Sequence, residues 1–222
     1  MDKHRDEVEE TQPAEVLREY GPFDGAPRIH GVTYDGARVW FAGDEGLRAF
    51  DPTSGEPVRT LAVACDAGTA FDGRHLYQLG GGVIRKVDPE TGQVLKTIPA
   101  PGKGDDSGLT WAEGSLWVGE YHARRIHRID PETGAILRTL ESNRFVTGVT
   151  WAQDELWHGT LEDGASDLRR LDPVDGRVLV RLTLPEGVSV TGLESDGGDV
   201  LYAGGGTSGK VRAVRRPRRS RR

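Results

Sequence analysis

Apolar and polar positions alternate in short runs along most of the chain, and the plainest stretch lies between residues 107 and 140. One apolar run ends at Trp111, and a turn passes Glu113-Gly114. Leu116-Trp-Val118 forms a second run and Arg125-Ile-His-Arg-Ile129 a third. Asp130-Pro-Glu-Thr-Gly134 then turns the chain into a fourth run ending at Leu140. Asp-Pro followed by Gly is strong turn chemistry, and β-branched and aromatic residues dominate between the turns. The pattern predicts four short strands.

The same phrase recurs. Its Gly-apolar start falls at Gly31, Gly68, Gly108, Gly148 and Gly192, at intervals of 37, 40, 40 and 44 residues, and its Asp-Pro turn falls at Asp51, Asp88, Asp130 and Asp172. A period of about 40 residues carrying four strands is the signature of propeller blades. After Val211-Arg-Ala-Val214 the fifth repeat runs out into arginines, so its fourth strand is missing there. Ala14-Glu-Val-Leu-Arg-Glu-Tyr20 matches Gln93-Val-Leu-Lys-Thr-Ile98 and supplies it. The fold expected is all-β: a five-bladed propeller of four-stranded antiparallel blades, closed by an N-terminal strand that leaves no exposed sheet edge at the seam. Residues 13–214 form the single domain, residues 1–12 a mobile acidic terminus and residues 215–222 a basic disordered tail.

A hydrophobic content of 36% and 31 glycines suit small twisted sheets that approach one another closely. The single cysteine, Cys65, excludes an internal disulfide. No apolar run approaches transmembrane length, and residues 1–10 are too charged for a signal peptide, so a cytoplasmic monomer without membrane contact is expected. The net charge of −6 hides an asymmetry: Arg215, Arg216, Arg218, Arg219, Arg221 and Arg222 carry +6, leaving −12 on residues 1–214. Six arginines on an acidic body do not make a nucleic-acid-binding domain, and nucleic acid is not expected as a partner.

Trp40, Tyr77, Trp117, Trp157 and Tyr202 hold one position in successive blades. A residue type repeated in every blade is inter-sheet packing, just as the repeated Asp of the Asp-Pro turns is turn chemistry. Chemistry is better sought where blades differ, in the loops entering each first strand and those joining strands two and three, which share one face. There His30, His122 and His158 meet carboxylates such as Asp66, Asp106, Glu120 and Glu162. Such groups ligate a divalent metal or work as acid–base pairs, although no metal-binding spacing motif is present. His4, His75 and His127 fall away from that face and are set aside. Cys65 beside Asp66 reads as a small packing residue rather than a nucleophile served by His30. The triple-glycine stretches lack the Lys and helix of a phosphate cradle.

His30-Gly-Val-Thr-Tyr-Asp-Gly36, Ser107-Gly-Leu-Thr-Trp111 and residues 116–134 resemble plant-type glutaminyl cyclotransferases, which are five-bladed propellers. In that family the residue before each inner-strand glycine lines the channel. The resemblance places His30, Ala67, Ser107, Thr147 and Thr191 there, with His30 at the family's Gln, Ala67 at its acidic catalytic residue and Ser107 at a substrate-binding Trp. Val39-Trp-Phe-Ala-Gly43 and residues 125–134 also resemble the repeats of streptogramin lyases, which have seven blades and eliminate with His, Glu and a divalent metal. Residues and resemblances together point to an enzyme acting on a small polar molecule or peptide at the channel mouth, by acid/base-assisted elimination or cyclisation. His30 or His122 is the expected base, Glu120 orients it or holds a metal, and His158 completes the catalytic lining. Asp66, Asp106, Ser107, Tyr121, Thr147, Glu162 and Thr191 are the expected substrate contacts. The alternative is a non-catalytic propeller that binds a ligand or protein at the same mouth.

Overall fold

The computed structural model describes residues 10–218. Two strands come first, β1 (Glu10–Pro13) and β2 (Val16–Tyr20). Blade one is β3 (Gly31–Tyr34), β4 (Val39–Gly43), β5 (Gly46–Phe50) and β6 (Pro57–Leu61). Blade two is β7 (Thr69–Phe71), β8 (Leu76–Gly80), β9 (Val83–Val87) and β10 (Val94–Pro99). Blade three is β11 (Asp106–Ala112), β12 (Ser115–Glu120), β13 (Arg125–Ile129) and β14 (Ile136–Glu141). Blade four comprises β15 (Val146–Ala152), β16 (Glu155–Thr160), β17 (Asp167–Leu171) and β18 (Val178–Thr183). Blade five takes β19 (Gly192–Ser195), β20 (Val200–Gly204) and β21 (Val211–Arg215) from its own repeat and β2 as its outer strand. The chain is a five-bladed β-propeller, and β2 pairs antiparallel with β21 from Val16↔Val214 to Tyr20↔Val211.

Five glycines set the distance between blades. A Cβ on Gly31, Gly68, Gly108, Gly148 or Gly192 would meet the next blade's backbone at 2.4, 2.4, 2.5, 2.2 and 2.7 Å, around the full circle. Only hydrogen fits there, and the inner strands pinch together at this ring. Further out the repeated aromatics fill the gaps: Tyr77 stacks on Trp111, Trp117 on Trp151, and Tyr202 packs against Tyr34 across the seam. Below the sheets, Asp51, Asp88 and Asp130 each accept backbone N–H bonds within their own turns, which holds their carboxyls below the usual range. Among the described residues no helix is long and apolar enough to cross a membrane.

Both assigned ends of the domain need correction. Residues 10–12 belong to the fold: β1 runs parallel to β18, from Glu10↔Val180 to Pro13↔Thr183, and gives blade four a fifth strand. The charged composition of the terminus hid this, because an outer-edge strand needs backbone pairing more than apolar side chains. At the other end Arg215 closes β21, and Arg216 is 3% exposed. The Arg216 guanidinium pairs with Glu155 at 2.8 Å and donates to the Gly198 carbonyl, while Arg218 pairs with Asp199 at 2.5 Å. The arginine run is therefore part of blades four and five through Arg218; residues 1–9 and 219–222 lie outside the described residues.

Candidate functional site

On the face carrying the inbound and second-to-third-strand loops, a cavity of about 360 Å³ opens above the glycine ring. Its wall includes His30, Asp66, Ala67, Asp105, Asp106, Ser107, Tyr121, His122, Thr147, Leu161 and Thr191, drawn from all five blades. Eight of the eleven residues expected at the site thus line one cavity; Glu120, His158 and Glu162 do not.

Each of the two histidines in this wall is paired with an aspartate, His122 with Asp105 of the wall and His30 with Asp44 behind it. His30 Nε2 lies 2.9 Å from Asp44 Oδ1, with both side chains partly exposed. An ionised carboxylate only accepts, so Nε2 donates and Nδ1 keeps its lone pair. In the second pair His122 Nδ1 lies 2.5 Å from Asp105 Oδ1, which leaves Nε2 as the basic nitrogen. Asp105 Oδ2 accepts the backbone N–H groups of His122 and Ala123, so one carboxylate shapes the turn and orients the ring. Tyr121 and His122 both pack on Phe145, and the Arg124 guanidinium caps that ring at 4.6 Å. Blades three and four therefore give the cavity an aromatic shoulder.

The carboxylates of the wall differ from one another. Asp66 Oδ2 accepts from Gly81 N–H at 3.0 Å. Asp106 is held by its own preceding loop, accepting from Gly102 N–H at 2.8 Å and Gly104 N–H at 3.3 Å. Burial nonetheless raises its pKa, outweighing those bonds, and the Glu120 charge adds to the rise.

Several expected contacts are occupied by the scaffold. The Ser107 hydroxyl donates to the Val146 carbonyl at 2.7 Å, and the Thr191 hydroxyl to the Ile29 carbonyl at 2.5 Å. Both are staples to the following blade, on residues that also border the cavity. Glu162 is held by Arg124 and Arg144 at 2.6 and 2.8 Å, so its charge is neutralised outside the wall. His158 is fully buried inside blade four, where strand alternation turns it from the channel into the sheet packing. Burial, with Arg169 nearby, pushes its pKa down to about 4, and Nδ1 bonds the Gly159 carbonyl at 3.0 Å. A neutral imidazole enclosed in packing has no access to substrate, and the catalytic assignment of His158 is withdrawn.

Glu120 also differs from expectation. It faces neither His30 nor His122; its Oε2 lies 3.0 Å from Nε2 of His127, which the sequence had set aside as an outer-strand residue. The Cys65 thiol donates to the Gly43 carbonyl at 3.1 Å, and burial raises its pKa to about 11, as suits a packing residue. Beneath the glycine ring the sequence reading missed Glu194, which accepts from the hydroxyls of Thr33 and Thr150 and from Ser195 N–H. The visible signal was Glu in an inner-strand position that blades one, three and four fill with Thr33, Thr110 and Thr150. Among the described residues no three His, Cys, Asp or Glu side chains are grouped so as to hold a metal ion.

The fold and this cavity define a five-bladed propeller with histidine–carboxylate pairs at its channel mouth. No protein-family model matches the chain, and no curated protein does. Among solved structures it is similar to the glutaminyl cyclase of Myxococcus xanthus, at 17% identity and a TM-score of 0.76, covering 92% of this chain and 97% of that one. It is also similar to the hydrazine synthase of Kuenenia stuttgartiensis (19% identity, TM-score 0.52, 80% of this chain and 55% of that one). A chain of a mitotic checkpoint complex matches at 14% identity and a TM-score of 0.54, over 86% of this chain and 78% of that one. At these identities the likeness shows the fold, and the resemblance to glutaminyl cyclase propellers holds at that level.

Proposed function

We propose that the chain is an acid–base enzyme of the cyclotransferase or lyase kind, acting on a small polar molecule or peptide held in the mouth cavity. The observation that carries this reading is the pair of histidine–aspartate couples, His30–Asp44 and His122–Asp105, whose two histidines line one cavity. In each the aspartate fixes the tautomer and supports the imidazolium that forms when the free nitrogen takes a proton. The wall carries three carboxylates and two histidines but neither lysine nor arginine, which favours a substrate presenting an amine. For cyclisation, a histidine removes a proton from that amine as its nitrogen attacks a carbonyl carbon; the leaving group then collects the proton. For elimination, the same base takes a proton from carbon, and the C–H electron pair becomes the new double bond. The bond from the neighbouring carbon to the leaving group breaks, and the leaving group departs with that bond's pair and collects the proton. The whole-fold likeness to a glutaminyl cyclase supports testing N-terminal glutaminyl peptides first. Ala67, where the related family has its acidic residue, makes Asp106 or a histidine couple the group that would replace it. A cytoplasmic location, a monomer and use of a divalent metal remain part of the proposal, and metal analysis of chelator-free protein tests the last.

Assays of ammonia release and of product mass, over glutaminyl peptides and small amines, check the reading. His30→Ala and His122→Ala should each lower kcat/KM by about a hundredfold while leaving the fold intact. Wild-type turnover in both variants would remove the couples from the mechanism. The aromatic shoulder of Tyr121 and Phe145 favours a second reading, a non-catalytic binding module. Saturable amine binding without product from any substrate class would select it.

A further inference from the structure

The third strand of every blade carries an arginine or histidine at one register position: Arg48, Arg85, His127, Arg169 and Arg212 lie opposite Phe41, Gln78, Val118, His158 and Ala203. Four of the five are arginines, which never release their proton. Blade three alone has a histidine, and that blade also contributes Asp106 to the cavity. Asp106 is the register partner of Glu120, and Glu120 is bonded to His127. A Cβ on Gly102 would stand 2.9 Å from Asp106 Oδ1 and 3.1 Å from Glu120 Cγ, so the two carboxylate side chains flank one point. His127 is buried, and Thr139 Oγ1 lies 2.9 Å from its Nδ1. A hydroxyl donates or accepts by rotating, so Thr139 bonds Nδ1 in either tautomer of the ring.

We infer that Asp106 is a second group, besides the histidine couples, that exchanges a proton with the occupant of the cavity, and that Glu120 and His127 are positioning residues that set its charge from behind. The inference rests on the acid–base reading of the cavity. In the step itself, an N–H or O–H bond of the occupant breaks and leaves its electron pair there. A new O–H bond forms on an Asp106 oxygen, and the same proton later returns to the product. Glu120, bearing a negative charge beside Asp106, favours the protonated carboxyl; His127, by neutralising Glu120, opposes this. Other groups facing the three residues are the amides of Gly102 and Gly104 on Asp106 and the Thr139 hydroxyl on His127.

The test is carboxyl-carbon NMR of Asp106 across pH, which needs no substrate. Glu120→Gln should lower the Asp106 midpoint by about half a unit or more, and His127→Gln should raise it. His127→Arg, the residue of the four other blades, should restore the wild-type midpoint. Opposite shifts with rescue by arginine are not produced by a merely structural role. Should Glu120→Gln fail to fold, the His127→Gln and His127→Arg pair carries the same sign test. Unmoved midpoints, or shifts of one sign in both glutamine variants, would overturn the arrangement. Absence of turnover and of amine binding in the wild type would instead overturn the reading of the cavity.

Discussion

Glu194 keeps its proton up to about pH 7, because burial beneath the glycine ring outweighs the three hydrogen bonds it accepts. Unfolded, the same carboxyl ionises near its ordinary 4.5. Between those values the folded chain holds a proton that the unfolded chain has released, so stability falls as pH rises through that window and then levels. The loss is on the order of 3 kcal/mol. Glu194→Gln should flatten this slope in urea titrations at pH 4.5, 6 and 7.5; an unchanged slope would assign the pH dependence to other groups. Legibility at this scale followed the repeat. His30 and the loop residues were readable because they break it on the cavity face. His127 and Glu194 break it too, but on an outer strand and below the ring, where a search confined to one face does not look. His158 misled because its loop-side position in the chain said nothing of which way strand alternation turns the ring.

At the scale of elements, the strands between the turns and the closing role of β2 were legible, since each follows from a repeated phrase and one missing copy. The parallel strand β1 was not, because nothing in Glu10-Thr-Gln-Pro13 repeats elsewhere. The arginine run was misjudged for a physical reason: a charged side chain looks solvated until a buried carboxylate is known to wait for it. Glu155 is 1% exposed and holds Arg216, Arg170 at 2.9 Å and the Trp157 indole N–H at 3.0 Å. Removing one partner of such a pair costs about 3 kcal/mol. Arg216→Ala should accordingly lower Tm by roughly 6–12 °C. Deleting residues 217–222 should shift it by less than about 2 °C, since Arg218 pairs at the surface. Equal losses in calorimetry would show that the outer arginines do as much as Arg216.

For the whole molecule the glycine ring is the strictest constraint, and its existence was readable from spacing while its geometry was not. Gly148→Ala would drive a methyl to 2.2 Å from the Leu193 backbone nitrogen. Backbone on both sides leaves nothing flexible to yield, so a loss of at least about 3 kcal/mol is expected. Gly114→Asn, at an exposed turn with nothing within 4 Å, is the control and should be nearly neutral. Comparable chemical-denaturation midpoints for the two variants would show that the ring widens freely. The clasp has a different sort of consequence. Blade five is built from β19–β21 and β2, while β1 reaches past it onto β18 of blade four, so β2 finds its partner only when β21 exists. During synthesis four blades can form in order as they emerge, each from four strands of its own. The fifth must wait, its outer edge bare, until β21 has emerged. A circular permutant joining the two ends and opening at Gly73, an exposed turn in blade two, would move that vulnerable interval to a different part of the ring while leaving the mouth cavity unchanged.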